Sequence, residues 1–377
     1  MIRLVLALTI VKLVLCVLPG GTADILQQQQ QAERFLESRD TLDPTASNPA
    51  AFLLGHNALA AGALYAARVT GAPFRFWIRV PAVLADLGLA LLLLVIPGAG
   101  RRAALLYVLS PVSMLLAVYH GQVHTVATAL AFVATWLVLR DQRILAGVAL
   151  GLATSVRQHF LVLAVPVARA LGARAVPALV AVVAVVLVVN MPLLASPYVH
   201  RTVAPPAGYG TWGYSILFVN GPRLLALAGL PQLVPYVATV LSAMPAVGAV
   251  LHFGWTAAFA ARVSFGRPLD PWRAALLFLV GFYAVTPSWG IQWLIWALPF
   301  WVIVDRRGAL VYSAIAGSFL AISYWVWTFN AKYGIYQVTA NLGALSRVDL
   351  ALYMLAGALG VVTWLYCVKT AWSLWRE

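Results

Sequence analysis

Residues 80–96, VPAVLADLGLALLLLVI, carry one ionisable side chain, Asp86, in an otherwise apolar run. Lipid offers a backbone no hydrogen-bond partners, so a run of this length and composition crosses a membrane only as a helix. Similar runs recur at 2–18, 50–67, 103–118, 123–139, 144–168, 176–194, 213–229, 233–260, 274–286, 291–304, 309–328 and 350–368. The chain therefore reads as one all-α domain over 1–377, a polytopic transmembrane bundle of about 11 to 13 helices. Several runs are short for a full crossing, which predicts broken or re-entrant helices, with Pro111 a natural break in 103–118.

Composition agrees: 63% of the residues are hydrophobic, 10% are charged, and the mean hydropathy is +0.90. No polar stretch is long enough for a soluble catalytic domain. The formal charge of +14 would suggest nucleic acid in a soluble protein. Here the Arg and Lys residues stand singly or in small groups at segment ends, the pattern of membrane orientation and snorkelling, so no nucleic-acid partner is expected. Arg dominance over Lys, with abundant Ala and Val, suggests a GC-rich bacterial genome and hence a bacterial inner membrane. Cys16 and Cys367 lie inside apolar runs and read as small buried hydrophobes. The N-terminal run is interrupted by Lys12 and lacks a small-x-small cleavage site, which predicts an uncleaved first helix.

Arg140 with Arg143, Arg169 with Arg174, the group Arg262, Arg267 and Arg273, Arg306 with Arg307, and Lys369 with Arg376 fall on one side, assigned to the cytoplasm. The other face then receives the turns at 120–124, 157–159, 196–212, 287–292 and 328–347. The front half breaks the pattern: with Arg68, Arg75 and Arg79 inside, Arg101 and Arg102 fall outside. One segment there is not a full span, and the candidates are 103–118 and 50–67.

Candidate chemistry collects on the outer face. Five of the eleven acidic residues, Asp24, Glu33, Glu37, Asp40 and Asp43, lie in the first long loop, where 24–36 has the pattern of a helix on the membrane surface. Asp24 stands at its start and is read as a general base, a metal ligand or a helix cap, a role Thr22 could also fill. Asp86 is read as a site carboxylate or as one half of a structural pair, with Arg79 a possible partner. In YHGQVH, His120, Gln122 and His124 can hydrogen-bond sugar hydroxyls or phosphate oxygens, but no HExxH accompanies them. In SVRQHF, Arg157 offers a guanidinium beside His159, a combination suited to phosphate. Tyr209, Trp212, Trp289, Gln292, Trp293 and Trp296 form either an interfacial belt or a carbohydrate-stacking wall.

In order and spacing these pieces resemble the polytopic GT-C glycosyltransferases, in particular bacterial polyprenyl-phosphate-mannose-dependent mannosyltransferases. The resemblance runs from Asp24 to about Phe300 and rests on the first-loop Asp, RVPAVLADLGLALLL, the stretch from LSPVSMLLAVYHGQVH to SVRQHFLVLAVP, YGTWG, and PSWGIQWLIWALPF. It implies a GT-C fold and transfer of a sugar, mannose or another hexose or pentose, from a polyprenyl-phosphate donor to an extracytoplasmic lipid or glycan acceptor. Asp24 would be the base, and Arg157 with His159 would bind the donor phosphate. His120, Gln122, His124, Tyr209, Trp212, Gln292 and Trp293 would line the cavity. Family members often carry an acidic residue where His124 stands, and the first loop has no clear DxD, so no obligatory metal is expected; a divalent cation stays open as an accessory. The rival readings are a transporter or flippase of a lipid-linked sugar, which would draw on Asp86, and a non-catalytic partner subunit that keeps the fold.

Overall fold

The computed structural model describes residues 1–18, 20–37, 41–42, 53–202, 213–215, 225, 229–287, 290–326 and 346–377. Among these the protein is helical throughout and has no strand. In chain order come α1 (Ile2–Leu15), α2 (Ala23–Glu37), α3 (Leu54–Thr70), α4 (Phe74–Trp77), α5 (Val80–Val95), α6 (Gly100–Val108) and α7 (Pro111–Met114). A π turn (Leu115–His120) leads to α8 (His124–Leu139) and α9 (Arg143–Val156), and a 3-10 segment (Gln158–Leu163) runs into α10 (Ala164–Leu171). Then follow α11 (Val176–Leu194), α12 (Val234–Phe265), α13 (Pro271–Val285), α14 (Leu294–Val304), α15 (Arg306–Tyr324) and α16 (Arg347–Arg376).

Four described stretches are long and apolar enough to cross a membrane, Phe74–Val95, Gln158–Leu194, Pro231–Phe265 and Arg347–Arg376, and a fifth is counted if Gly100–Val108 and Pro111–His120, bent by 50°, form one span. Four shorter apolar helices accompany them. The runs read from the sequence as single spans are shorter here because polar breaks interrupt them: 144–168 stops being α-helical at Arg157, whose backbone is extended (φ −144°, ψ 105°). The 103–118 run is broken where expected, with Pro111 opening α7.

Contacts sort the helix ends into two layers. At one end, Asp141 pairs with Arg143 (2.8 Å) and Arg174 (3.2 Å), Arg306 donates to Gly98 O (2.7 Å), and Arg262 donates to Trp375 O (3.1 Å). The Arg143 guanidinium, hydrogen-bonded to it, holds the exposed Asp141 carboxyl below its ordinary range. At the other end, Arg79 reaches Gly20 O and Tyr119 O, and Arg157 meets His124. Gln158–Leu194 is accordingly a hairpin, since Arg174 lies in the first layer while Asn190 returns to Ser155 (3.1 Å) in the second.

This sorting corrects the placement of the early basic residues. Arg101 and Arg102 open α6 beside Gly98, in the layer of Arg140 and Arg306, whereas Arg79 stands in the opposite layer. Of the two front-half candidates, α3 (Leu54–Thr70) is not among the described helices long and apolar enough to cross, and 103–118 is so only as a bent pair. Helix α3 packs along α2, and its start is fastened in the second layer by Leu54 N–H to Asn190 Oδ1 (2.8 Å). Its neighbour Gly55 abuts Ser155 so closely that an added Cβ would lie 2.6 Å from the carbonyl oxygen.

Two devices hold the bundle. Along α9, Gly147, Gly151 and Ser155 face α11 at four-residue spacing; a Cβ on Gly147 would come within 2.1 Å of Ala178 O. Small residues at that spacing let helices approach closely where lipid supplies no hydrophobic drive between them. Across α1, α5, α6 and α7, Asp86 pairs with Lys12, accepts from Ser113 (2.7 Å) and accepts from Tyr107 (2.5 Å). Its partner is thus Lys12, not Arg79, and both members of the pair are 1% exposed. Lys12 also donates to Ser113 (2.7 Å), which closes the network. Lys12→Met leaves a buried carboxylate without its cation and is expected to destabilise the protein by about 3–5 kcal/mol. Lys12→Met with Asp86→Leu is expected to recover most of that loss, read as the unfolding midpoint in detergent.

Candidate functional site

The site begins with a clamp between the first loop and the turn after the π segment. Arg79 reaches from the start of α5 to Cys16 O (3.1 Å), Gly20 O (2.6 Å) and Tyr119 O (3.2 Å). It thereby satisfies carbonyls at two helix ends that no helical N–H can reach. Just before α2, Thr22 donates to His120 O (3.0 Å), and from within it Gln28 donates to Gly121 O (2.8 Å). Gly121 has φ 73°, and a Cβ there would lie 2.8 Å from the Ile25 side chain. The loop and the turn therefore interlock.

That clamp presents Asp24, in the first turn of α2, to the turn residues. Its Oδ2 accepts from Gln122 Nε2 at 2.5 Å, and His120 Nε2 lies 2.9 Å from the same oxygen, off the line of its ring N–H. Asp24 therefore faces other side chains of the site. His120 Nδ1 is 2.7 Å from the Tyr324 hydroxyl, which caps the group from the end of α15.

Gln122 then joins this carboxylate to the guanidinium. Its Oε1 accepts from Arg157 Nη2 at 3.1 Å, so one amide has its nitrogen on Asp24 and its oxygen on Arg157. Arg157 Nη2 also lies 2.7 Å from His124 Nε2, and Trp296 Nε1 donates to His124 Nδ1 at 3.0 Å. The break in α9 aims Arg157 here, because an extended residue at the helix end turns the side chain across the bundle. The Arg157, Gln122, His120 and His124 side chains are all buried, whereas the Asp24 side chain is 22% exposed. The row opens to its surroundings at the carboxylate end.

His159 lies in an aromatic wall, within electrostatic reach of Arg157. Its ring lies 5.2 Å from Phe282 and 5.5 Å from both Trp293 and Trp296. Trp293 stacks on Trp296 with centroids 5.0 Å apart and planes 9° from parallel. Gln292 is buried in the 3-10 turn (Ile291–Trp293) that carries Trp293. Tyr209, Trp212 and Trp289 lie outside the described residues. Asp86 does not belong to this site; its oxygens are engaged in the Lys12 network. Among the described residues no group of three or more His, Cys, Asp or Glu is placed to hold a metal ion.

Two participants, Tyr324 and His56, were not singled out as site residues from the sequence, and Trp296 was read only as part of an aromatic belt or wall. Tyr324 closes the His120 end, Trp296 fixes His124, and His56, in α3, stands within electrostatic reach of both Arg157 and His124. Trp296 had a signal in its three-residue spacing from Trp293. Tyr324 had none, being one aromatic near the end of an apolar helix.

As arranged, the row sets an acceptor of protons and a fixed cation at opposite ends of one amide. That geometry can take a proton at one point and stabilise an anion at another. No protein-family model matches the chain, and no curated protein sequence matches it. Gly121→Ala puts a side chain into left-handed backbone against Ile25 and is expected to cost about 1–3 kcal/mol. The check is proteolysis within 23–37, which is expected to speed up as α2 undocks.

Proposed function

We propose that the protein is a membrane-embedded, inverting glycosyltransferase of the GT-C type. It transfers a sugar, mannose or a related hexose or pentose, from a polyprenyl phosphate to a lipid- or glycan-linked acceptor at the extracytoplasmic face of a bacterial inner membrane. The observation that carries this reading is the Gln122 bridge, which holds Asp24 and Arg157 one amide apart although they are distant in sequence.

An inverting displacement needs a base on one side of the anomeric carbon and a leaving-group anion on the other. Asp24, partly exposed, takes the proton from the acceptor hydroxyl as its oxygen attacks. The bond from the anomeric carbon to the phosphate oxygen breaks, and its electron pair leaves on polyprenyl phosphate. Arg157 stabilises the charge that grows there. His120 stands between Tyr324 and the carboxylate. The stacked Trp293 and Trp296 offer an aromatic wall of the kind on which a sugar face packs. Sugar and acceptor enter after the Gln122 amide swings aside.

Asp86, in its closed network with Lys12, Ser113 and Tyr107, gives little support to a proton-coupled transporter, which would need that carboxylate to titrate. Nor does its partnership suit a catalytic role.

Two measurements test the reading. Purified protein incubated with polyprenyl-phosphate sugars is expected to release polyprenyl phosphate, and Asp24→Asn is expected to slow release by about 10²–10⁴-fold at unchanged expression. Near wild-type release by Asp24→Asn excludes this mechanism. For orientation, a membrane-impermeant thiol reagent added to intact cells is expected to label Gln29→Cys and not Arg102→Cys; the reverse pattern excludes an extracytoplasmic site.

A further inference from the structure

His124 has two ring nitrogens, and each faces a group that can only donate. Trp296 Nε1–H addresses Nδ1 from 3.0 Å, and Arg157 Nη2 lies 2.7 Å from Nε2. Neither an indole N–H nor a guanidinium has an acceptor to offer. A neutral imidazole carries one N–H and one lone pair, so it accepts from one of these neighbours and meets the other hydrogen to hydrogen. A protonated ring accepts from neither.

The surroundings decide which contact yields. Trp296 is fully buried, stacks on Trp293 and also stacks on His124 itself at 5.5 Å, so its N–H stays on Nδ1. Arg157 stands on a long side chain at a helix end and already donates to Gln122 Oε1. The imidazole proton therefore belongs on Nε2, the nitrogen nearest the guanidinium. An incoming oxygen between the two would accept from both and remove the mismatch.

We infer that His124, held by Trp296 as the neutral Nε2–H form, is the second donor of a phosphate site whose first donor is Arg157. Given the transferase reading above, the ligand is the phosphate of a polyprenyl-linked sugar, and after transfer it is polyprenyl phosphate. The phosphate gains one negative charge as the bond to the sugar breaks, and two fixed donors meet that charge without adding a proton to the leaving group. A carboxylate at position 124 would place a like charge beside it. His124 thus has a role that an acidic residue could not fill, and the phosphate oxygen takes the place on Arg157 that Gln122 Oε1 now occupies.

Geranyl phosphate is the probe, titrated calorimetrically against the full-length protein in detergent, with geraniol as the arm that lacks phosphate. His124→Leu is expected to weaken geranyl phosphate binding by roughly tenfold or more, while His124→Gln, which keeps an N–H at similar reach, stays within about threefold of wild type. Trp296→Phe frees the tautomer and is expected to weaken binding too, and nitrogen NMR of histidine-labelled protein is expected to show His124 as the Nε2–H form only while Trp296 is present. Should His124→Leu fail to fold, the glutamine and Trp296→Phe variants carry the test. Unchanged affinity in His124→Leu, equal losses in the leucine and glutamine variants, or binding of geraniol as tight as that of geranyl phosphate overturns the assignment. If these occur while Asp24→Asn still abolishes transfer, the His124 assignment alone fails; if wild-type protein neither binds geranyl phosphate nor releases polyprenyl phosphate, the transferase reading fails with it.

Discussion

The amide of Gln122 holds a carboxylate by its nitrogen and a guanidinium by its oxygen, and the site is built to bring those two partners to it. The carboxylate arrives because Arg79, Thr22 and Gln28 bind the first loop to the carbonyls around Tyr119, His120 and Gly121. The guanidinium arrives because α9 stops at Val156 and the next residue is extended. Because an amide has a donor end and an acceptor end, its orientation here is fixed by chemistry: reversing it would set oxygen against carboxylate and N–H against guanidinium.

Asp86 and Asp24 have opposite environments. Asp86 is sealed beside Lys12, with Ser113 and Tyr107 completing its hydrogen bonds, and it ties four helices together near the start of the chain. A buried pair of this kind adds little net stability over an apolar equivalent, yet breaking it is expensive, so it specifies how those helices meet. Asp24 is partly exposed; it accepts from the neutral Gln122 amide and lies beside the His120 ring. The first is closed into a structural pair, and the second is left open to its surroundings. The same contrast separates the two ends of the bundle, one closed by exposed ion pairs around Asp141 and the other by the buried polar row from Tyr324 to Trp296.

Much of this was legible in the residues. The all-helical class followed from the apolar runs, the break in 103–118 from Pro111, and the helix after the first span from the apolar side of 24–36. The positions of Asp24, His120, Gln122, His124 and Arg157 as neighbours followed from placing turns on one face. The parity of the front half followed only in part: 50–67, with its polar His56 and Asn57, was one of two suspects, and that α3 lies along α2 depends on packing the residues do not show. Lys12 as the partner of Asp86 was hidden as well, since the two are 74 residues apart and their pairing depends on how α1 and α5 pack. His159 was legible only in part: adjacency in SVRQHF brought it near Arg157, but its place among Phe282, Trp293 and Trp296 depends on the 3-10 turn that follows and on the packing of distant helices.

The most direct test of the account is an experimental structure of the protein with an isoprenyl phosphate bound. The account predicts the phosphate between Arg157 and His124, with the Gln122 amide displaced and the Asp24 carboxylate facing the same chamber. A phosphate bound elsewhere in the bundle, with the Gln122 bridge intact and Asp24 closed off from it, would contradict the account.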